Sequence, residues 1–180
     1  MKRFLYIFGA LGLLVVSGIF LVQVPVVQDQ LMQREISQRM SRSPDDLFVD
    51  DALRVILCGS AAPMPIKDRA AACIMVIAEG KFYIVDTGNR STNNLGLWRI
   101  PSDRVGAVFL THYHSDHMGD LGEFNMMTWA QGRKKPLEVY GPVGVKQVVA
   151  GFSQAYGLDR NYRTAHHGED YLNPYIGMMI

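Results

Sequence analysis

Apolar residues are unevenly spread along this chain, and the first polar break comes late. After Met1-Lys2-Arg3 the sequence is apolar from Phe4 to Val22, interrupted only by Ser17 and small glycines. A helix crossing a bilayer needs roughly 20 such residues, and no small soluble domain needs a run of that length. The basic pair ahead of it is expected to stay cytoplasmic, which sends the rest of the chain to the far side. A cleaved signal peptide has the same charge layout, but Val16-Ser17-Gly18 is a poor cleavage site. Residues 1–27 are expected to be a transmembrane anchor or signal segment. The protein would then sit in the inner membrane facing the periplasm or exterior, or be periplasmic or secreted if the segment is removed.

From Gln28 the pattern turns polar, with Leu31, Met32, Ile36 and Met40 at near-helical spacing. Residues 28–46 read as a helical stalk and linker that ends in Ser41-Arg42-Ser43-Pro44-Asp45-Asp46. Residues 47–180 then carry the pattern of a mixed α/β domain. Leu53 to Cys58, Cys73 to Ala78, Lys81 to Asp86, Val105 to Leu110 and Leu137 to Tyr140 are expected strands. Glu79-Gly80 marks a hairpin turn between the second and third. Asp120 and Glu123 have the spacing of a capping box, opening an amphipathic helix through Phe124, Met126, Met127, Trp129 and Ala130. A further helix is expected from Val143 to Tyr156, followed by a polar loop over residues 162–170.

Composition narrows the function classes. The chain is 48% hydrophobic, enough for a packed core, so disorder is excluded. Its 18 basic and 17 acidic side chains leave a net charge of +1, which argues against a nucleic-acid partner. Arg133-Lys134-Lys135 is a single short basic run and reads as a solvated helix end. Cys58 and Cys73 read as small core residues; a disulfide is open to them after export, but register is not legible from sequence.

The chemistry concentrates in Thr111-His112-Tyr113-His114-Ser115-Asp116-His117, which holds three of the five histidines and directly follows an apolar strand. Side chains alternate along an extended chain, so His112 and His114 project to one side and can share one metal ion. Where the loop turns, Asp116 and His117 can face a second. Imidazole nitrogen with carboxylate oxygen suits zinc, with iron or manganese as alternatives.

His112-x-His114-x-Asp116-His117 after an apolar strand resembles the signature of the metallo-β-lactamase fold hydrolases. Asp86-Thr87-Gly88 is similar to that family's strand-end aspartate, which supports the metal site from behind the ligands. Gly59-Ser60-x-x-Pro63 followed by Arg69 resembles the first loop of the ribonuclease Z, phosphodiesterase and arylsulfatase branch. The resemblance runs from about Leu53 to Pro174. It implies the N-terminal half of a four-layer αβ/βα sandwich and a site for two zinc ions. His112 and His114 would hold the first ion and His117 the second. Asp116 would be both a ligand and the catalytic group that orients a metal-bridging hydroxide.

The family's remaining ligands come from later strands. Downstream of the main motif the only histidines are His166 and His167, candidates for lining a substrate cleft. The chain therefore looks like the N-terminal half of a hydrolase. The expected function is metal-dependent hydrolysis of phosphodiester, phosphate or sulfate esters. The alternatives are a lactone, thioester or β-lactam hydrolase, or a catalytically incomplete metal-binding fragment. Expected partners are a small-molecule ester and the membrane, with no nucleic acid favoured and a homo-oligomer or a complementary C-terminal half as further candidates.

Overall fold

Along Cys73–Ala78, buried residues alternate with half-exposed ones, as in a strand with one face packed. A computed structural model describes residues 44–64 and 66–180, together with Pro25, Val27, Gln28 and Gln30, which are helical. The apolar run from Phe4 to Val22 lies outside the described residues, as does most of the stalk. Among the described residues no helix is long and apolar enough to cross a membrane. The chain divides into two compact units, Met1–Ser43 and Pro44–Ile180, of which the second carries the fold.

Five strands form one sheet in chain order: β1 (Arg54–Gly59), β2 (Cys73–Ala78), β3 (Lys81–Val85), β4 (Val105–Phe109) and β5 (Glu138–Tyr140). The β1–β2 and β2–β3 pairs are antiparallel; β3–β4 and β4–β5 are parallel. Glu79 and Gly80 both take positive φ (50° and 70°), the combination that suits a two-residue hairpin between right-twisted strands. Parallel neighbours cannot be joined by a tight turn. Helix α1 (Ser91–Leu97) fills the first connection, and α2 (Ser115–Met118) and α3 (Leu121–Ala130) the second. Helices α4 (Val145–Ala155) and α5 (Gly157–His167) follow β5. Beyond β5, Met178 and Ile180 exchange backbone hydrogen bonds with Leu137 and Val139, and Met179 is buried.

The core lies on one face of the sheet, where Met75, Ile77, Phe82, Ile84, Val108 and Val139 meet Leu95 of α1 and Leu121 and Phe124 of α3. Each such side chain contributes about 1.5–3 kcal/mol on burial. The opposite face is bare and apolar: Val55 is 64% exposed, Leu57 65%, and Phe109 stacks on Tyr140 at 5.2 Å. An irregularity in the β3–β4 register turns Gly106 toward this face. A Cβ there would stand 2.3 Å from the Tyr83 ring, so any larger residue would have to displace that ring.

Three expectations need correction. Helix α3 is not amphipathic, because Leu121, Gly122, Phe124, Asn125, Met126, Thr128 and Trp129 are all buried. It runs between the sheet and residues 172–177, with Asn125 Nδ2 donating to the Gly177 carbonyl and Trp129 Nε1 to that of Asn173, so it has no broad solvent face. Its expected cap also fails: the Asp120 carboxylate accepts from Thr92 N in α1 (3.1 Å) and makes no cap to its own helix. Finally, residues 162–167 of the expected 162–170 loop belong to helix α5. Helix α5 is polar overall, and its short apolar stripe of Leu158, Tyr162 and Ala165 is too sparse to stand out in the sequence.

Cys58 and Cys73 are both buried, as expected of core residues, and they are joined in a disulfide. The register pairs Gly59 with Cys73 and so brings the two sulfurs together.

Candidate metal centre

The site grows from the end of β4. Leu110 N still bonds to the Tyr140 carbonyl, after which the chain leaves the sheet. It stays extended through His114 (φ −68°, ψ 147°), then turns into the single helical turn α2. Extension sends Tyr113 one way, its hydroxyl donating to the Pro142 carbonyl, and the flanking histidines the other. His112 Nε2 lies 3.1 Å from His114 Nδ1. The turn then brings His117 beneath, its ring 4.0 Å from that of His112. Asp116 Oδ2 stands 3.6 Å from His117 Nε2.

Asp86 organises these groups. It follows β3 in the left-handed region (φ 62°), which an aspartate tolerates better than most residues. Its nearly buried carboxylate accepts from Thr111 N (2.8 Å), from Thr111 Oγ1 (2.8 Å) and from His117 Nδ1 (2.7 Å). A carboxylate only accepts, so a His117 proton sits on Nδ1, and in the neutral ring Nε2 carries the lone pair. Thr111 spends its one hydroxyl proton on Asp86, so its contact with His112 Nδ1 (3.0 Å) requires a proton on that nitrogen too. One buried carboxylate thus sets the tautomer of two histidines and presents Nε2 of both.

The donor set fits divalent cations in kind. Two nitrogens bound to one tetrahedral zinc at 2.0–2.1 Å stand about 3.3 Å apart. The His112–His114 separation of 3.1 Å and the Asp116–His117 separation of 3.6 Å both lie near that edge. The set comes as two pairs. Among the described residues no three His, Cys, Asp or Glu side chains are arranged around one ion. His166 and His167 do not add to it: their rings touch each other and His167 contacts Tyr171, at the far end of α5.

Asp116 also opens onto a pocket of about 260 Å³ whose other walls include Pro63, Ile66, Arg69, Asn89 and Arg90. Arg90 donates to the carbonyls of Ile66 (3.3 Å) and Lys67 (2.8 Å) and so pins the loop that carries Arg69. The disulfide ties the base of the same loop. Two glycines make room for the short helix: a Cβ on Gly88 would meet the Asp116 carbonyl at 2.2 Å, and one on Gly119 the Asn89 side chain at 1.7 Å. Sequence reasoning had given Thr111 no role. Its signal was a hydroxyl between an apolar strand and the first histidine, beside a strand-end aspartate.

Residues 66–140 match the model of the metallo-beta-lactamase superfamily. The chain carries a metallo-beta-lactamase domain. Ribonucleases Z are its homologues: it is 33% identical to ribonuclease Z of Mycobacterium marinum over 120 residues, covering 65% of this chain and 43% of that protein. The figures for ribonuclease Z of Mycolicibacterium gilvum are 32% over 120 residues, 65% and 42%. Among solved structures, the human tRNase Z short form is similar at 26% identity and a TM-score of 0.51, over 57% of this chain and 39% of that one. The chain spans less than half the length of these relatives.

These relatives are named for RNA, which overturns the expectation of a small-molecule ester and no nucleic acid. Net charge is a weak guide to such a partner. A sum of +1 over the chain says nothing about where the charges lie, and polyanions are bound by local clusters.

Proposed function

We propose that the metallo-beta-lactamase domain hydrolyses phosphodiester bonds in RNA with two divalent cations, zinc in first place. His112 and His114 would hold one, Asp116 and His117 the other. The observation that carries this is the pair of donor edges, at 3.1 and 3.6 Å, poised by a single buried aspartate. When bound, such cations acidify water and polarise a phosphoryl oxygen. The protein's own groups do the rest. Asp86 and Thr111 hold imidazole protons away from the site. Asp116, at the pocket wall, orients the attacking water and accepts its proton. Arg69 stands across the same pocket, where a guanidinium suits a phosphate.

The fold reading goes further in the same direction: the five-stranded sheet is one half of a four-layer αβ/βα sandwich, and its bare face around Val55, Leu57, Phe109 and Tyr140 is where a second sheet would pack. The Cys58–Cys73 disulfide supports export, since such bonds persist in oxidising compartments.

A second reading is favoured by one observation. Two donors per ion, where catalytic zinc sites use three protein ligands, suit a domain that binds metal weakly and turns nothing over. One experiment separates the two. Metal content by mass spectrometry and cleavage of a labelled oligoribonucleotide are measured on the wild type, His114→Ala and Asp116→Asn. The catalytic reading expects metal and cleavage to fall together in His114→Ala, and Asp116→Asn to lose turnover more than substrate affinity. Metal bound without cleavage by the wild type supports the second reading, and metal unchanged in His114→Ala refutes the ligand assignment.

A further inference from the structure

At the other end of the sheet, where β3, β4 and β5 begin, lies a pocket of about 170 Å³. Lys81, Arg133, Lys134 and Lys135 line it, against Asp103 and Glu138, which leaves it with an excess of two positive charges. None of the three lysines makes an ion pair among the described residues.

Arg133 is the unusual member, because it is only 4% exposed. Its guanidinium donates from Nε to Thr128 Oγ1 (3.1 Å), from Nη1 to the Lys135 carbonyl (2.5 Å), and from Nη2 to the Asn125 carbonyl (3.2 Å) and Oδ1 (2.6 Å). Every acceptor is neutral. Four of its five N–H groups are used, and the fifth, on Nη1, has no acceptor among the described residues. Burial pulls its pKa down to about 10. A buried cation is costly unless an anion compensates it. The carbonyl end of α3 compensates in part. Asp103 and Glu138 offset only two of the four cations that line this pocket, which leaves room for a further anion.

We infer that this pocket binds a phosphate group of the RNA strand, away from the scissile bond, with Lys81, Lys134 and Lys135 as its contacts and Arg133 as its fixed positive floor. The inference rests on the RNA reading above. The five residues of β4 at about 3.3 Å each separate the pocket from the histidines, so a contact here would hold a distant part of the same strand. Base identity would not matter, since phosphate contacts position without specifying.

The test uses the full chain and the variant Lys81→Ala/Lys134→Ala/Lys135→Ala, with circular dichroism as a check on folding. Arg133 is left in place because removing it would strand Asn125 Oδ1. The probes are a fluorescein-labelled single-stranded oligoribonucleotide, followed by anisotropy over a range of salt, and inorganic phosphate, followed by the width of its phosphorus resonance. In the variant the oligonucleotide should bind roughly tenfold more weakly, and the slope of log K against log salt should flatten by about 2, at 0.7 per lost contact. Phosphate broadening seen with the wild type should vanish, while metal content stays the same. Equal affinity and slope in the two proteins would overturn the pocket's role and leave the RNA reading standing. Lysine-dependent phosphate binding by a wild type that binds no RNA would overturn the assignment to RNA, here and for the domain as a whole.

Discussion

Replacing Asp86 with asparagine tests whether one carboxylate sets the histidine tautomers. Asparagine has nearly the same shape and also tolerates positive φ, so the backbone at 62° is retained and only the acceptor pattern changes. The amide oxygen can replace Oδ1 and keep the bond from Thr111 N. The amide nitrogen then replaces Oδ2, which accepts from both Thr111 Oγ1 and His117 Nδ1. Thr111 can rotate its hydroxyl to accept. His117 must give up its Nδ1 proton and carry one on Nε2, the nitrogen that faces Asp116. Losing charge-assisted bonds of about 1.5–3 kcal/mol each lowers stability by a comparable amount, since the other contacts survive. Metal affinity should fall about 10–100-fold, the usual effect of removing such a support. Zinc titration against a chromophoric chelator measures the affinity, and urea unfolding without metal measures the stability. If stability falls and zinc affinity stays within a factor of about two, Asp86 is merely structural and the tautomer argument is wrong.

Other outcomes follow from the same geometry. The disulfide closes a loop between residues 15 apart, so Cys58→Ser/Cys73→Ser should unfold at lower urea, by about 3 kcal/mol; an unchanged midpoint would show that the bond does not restrain the native chain. Gly88→Ala pushes a methyl into the backbone of Asp116 and Ala72, so it should cost metal affinity as well as about 1–3 kcal/mol of stability, measured by the same titration and unfolding. His166→Ala/His167→Ala should leave zinc stoichiometry untouched, because neither ring contacts the cluster; a loss of metal would place α5 at the site.

The strands were legible because each face of the sheet leaves a mark in the sequence. Cys73–Ala78 was readable to the residue, and Glu79-Gly80 announced its turn. Helices were legible only where one side is wet. The expected helix from Val143 holds as α4, with Val145, Val148, Val149 and Phe152 packed on the core. Helix α3 was placed correctly but misjudged, because its polar residues Asn125 and Thr128 signal solvent and are in fact buried against their own partners. Asp120 followed a capping pattern and serves another helix. A local pattern cannot show that a neighbouring element competes for the same carboxylate.

The two close donor pairs, His112 with His114 and Asp116 with His117, were read from spacing, since alternation along an extended chain is a local property. The network that readies them is not local. Asp86 and His117 are 31 residues apart, Asp86 and Thr111 25 apart, and they meet only because β3 and β4 pair in parallel. That pairing puts the ends of both strands at the same edge, where Asp86 N still bonds to the Phe109 carbonyl. The left-handed turn at Asp86 then aims its carboxylate at the residues just leaving β4. Topology therefore does chemical work here: a parallel pair delivers a strand-end acid to a strand-end histidine loop, and an antiparallel one would put the end of β3 beside the start of β4. The charge argument failed for the same reason in reverse. Lys81 and Lys134 are distant in sequence, yet the same parallel ladder brings the starts of β3, β4 and β5 together and gathers at the opposite edge a positive charge that the whole-chain sum conceals.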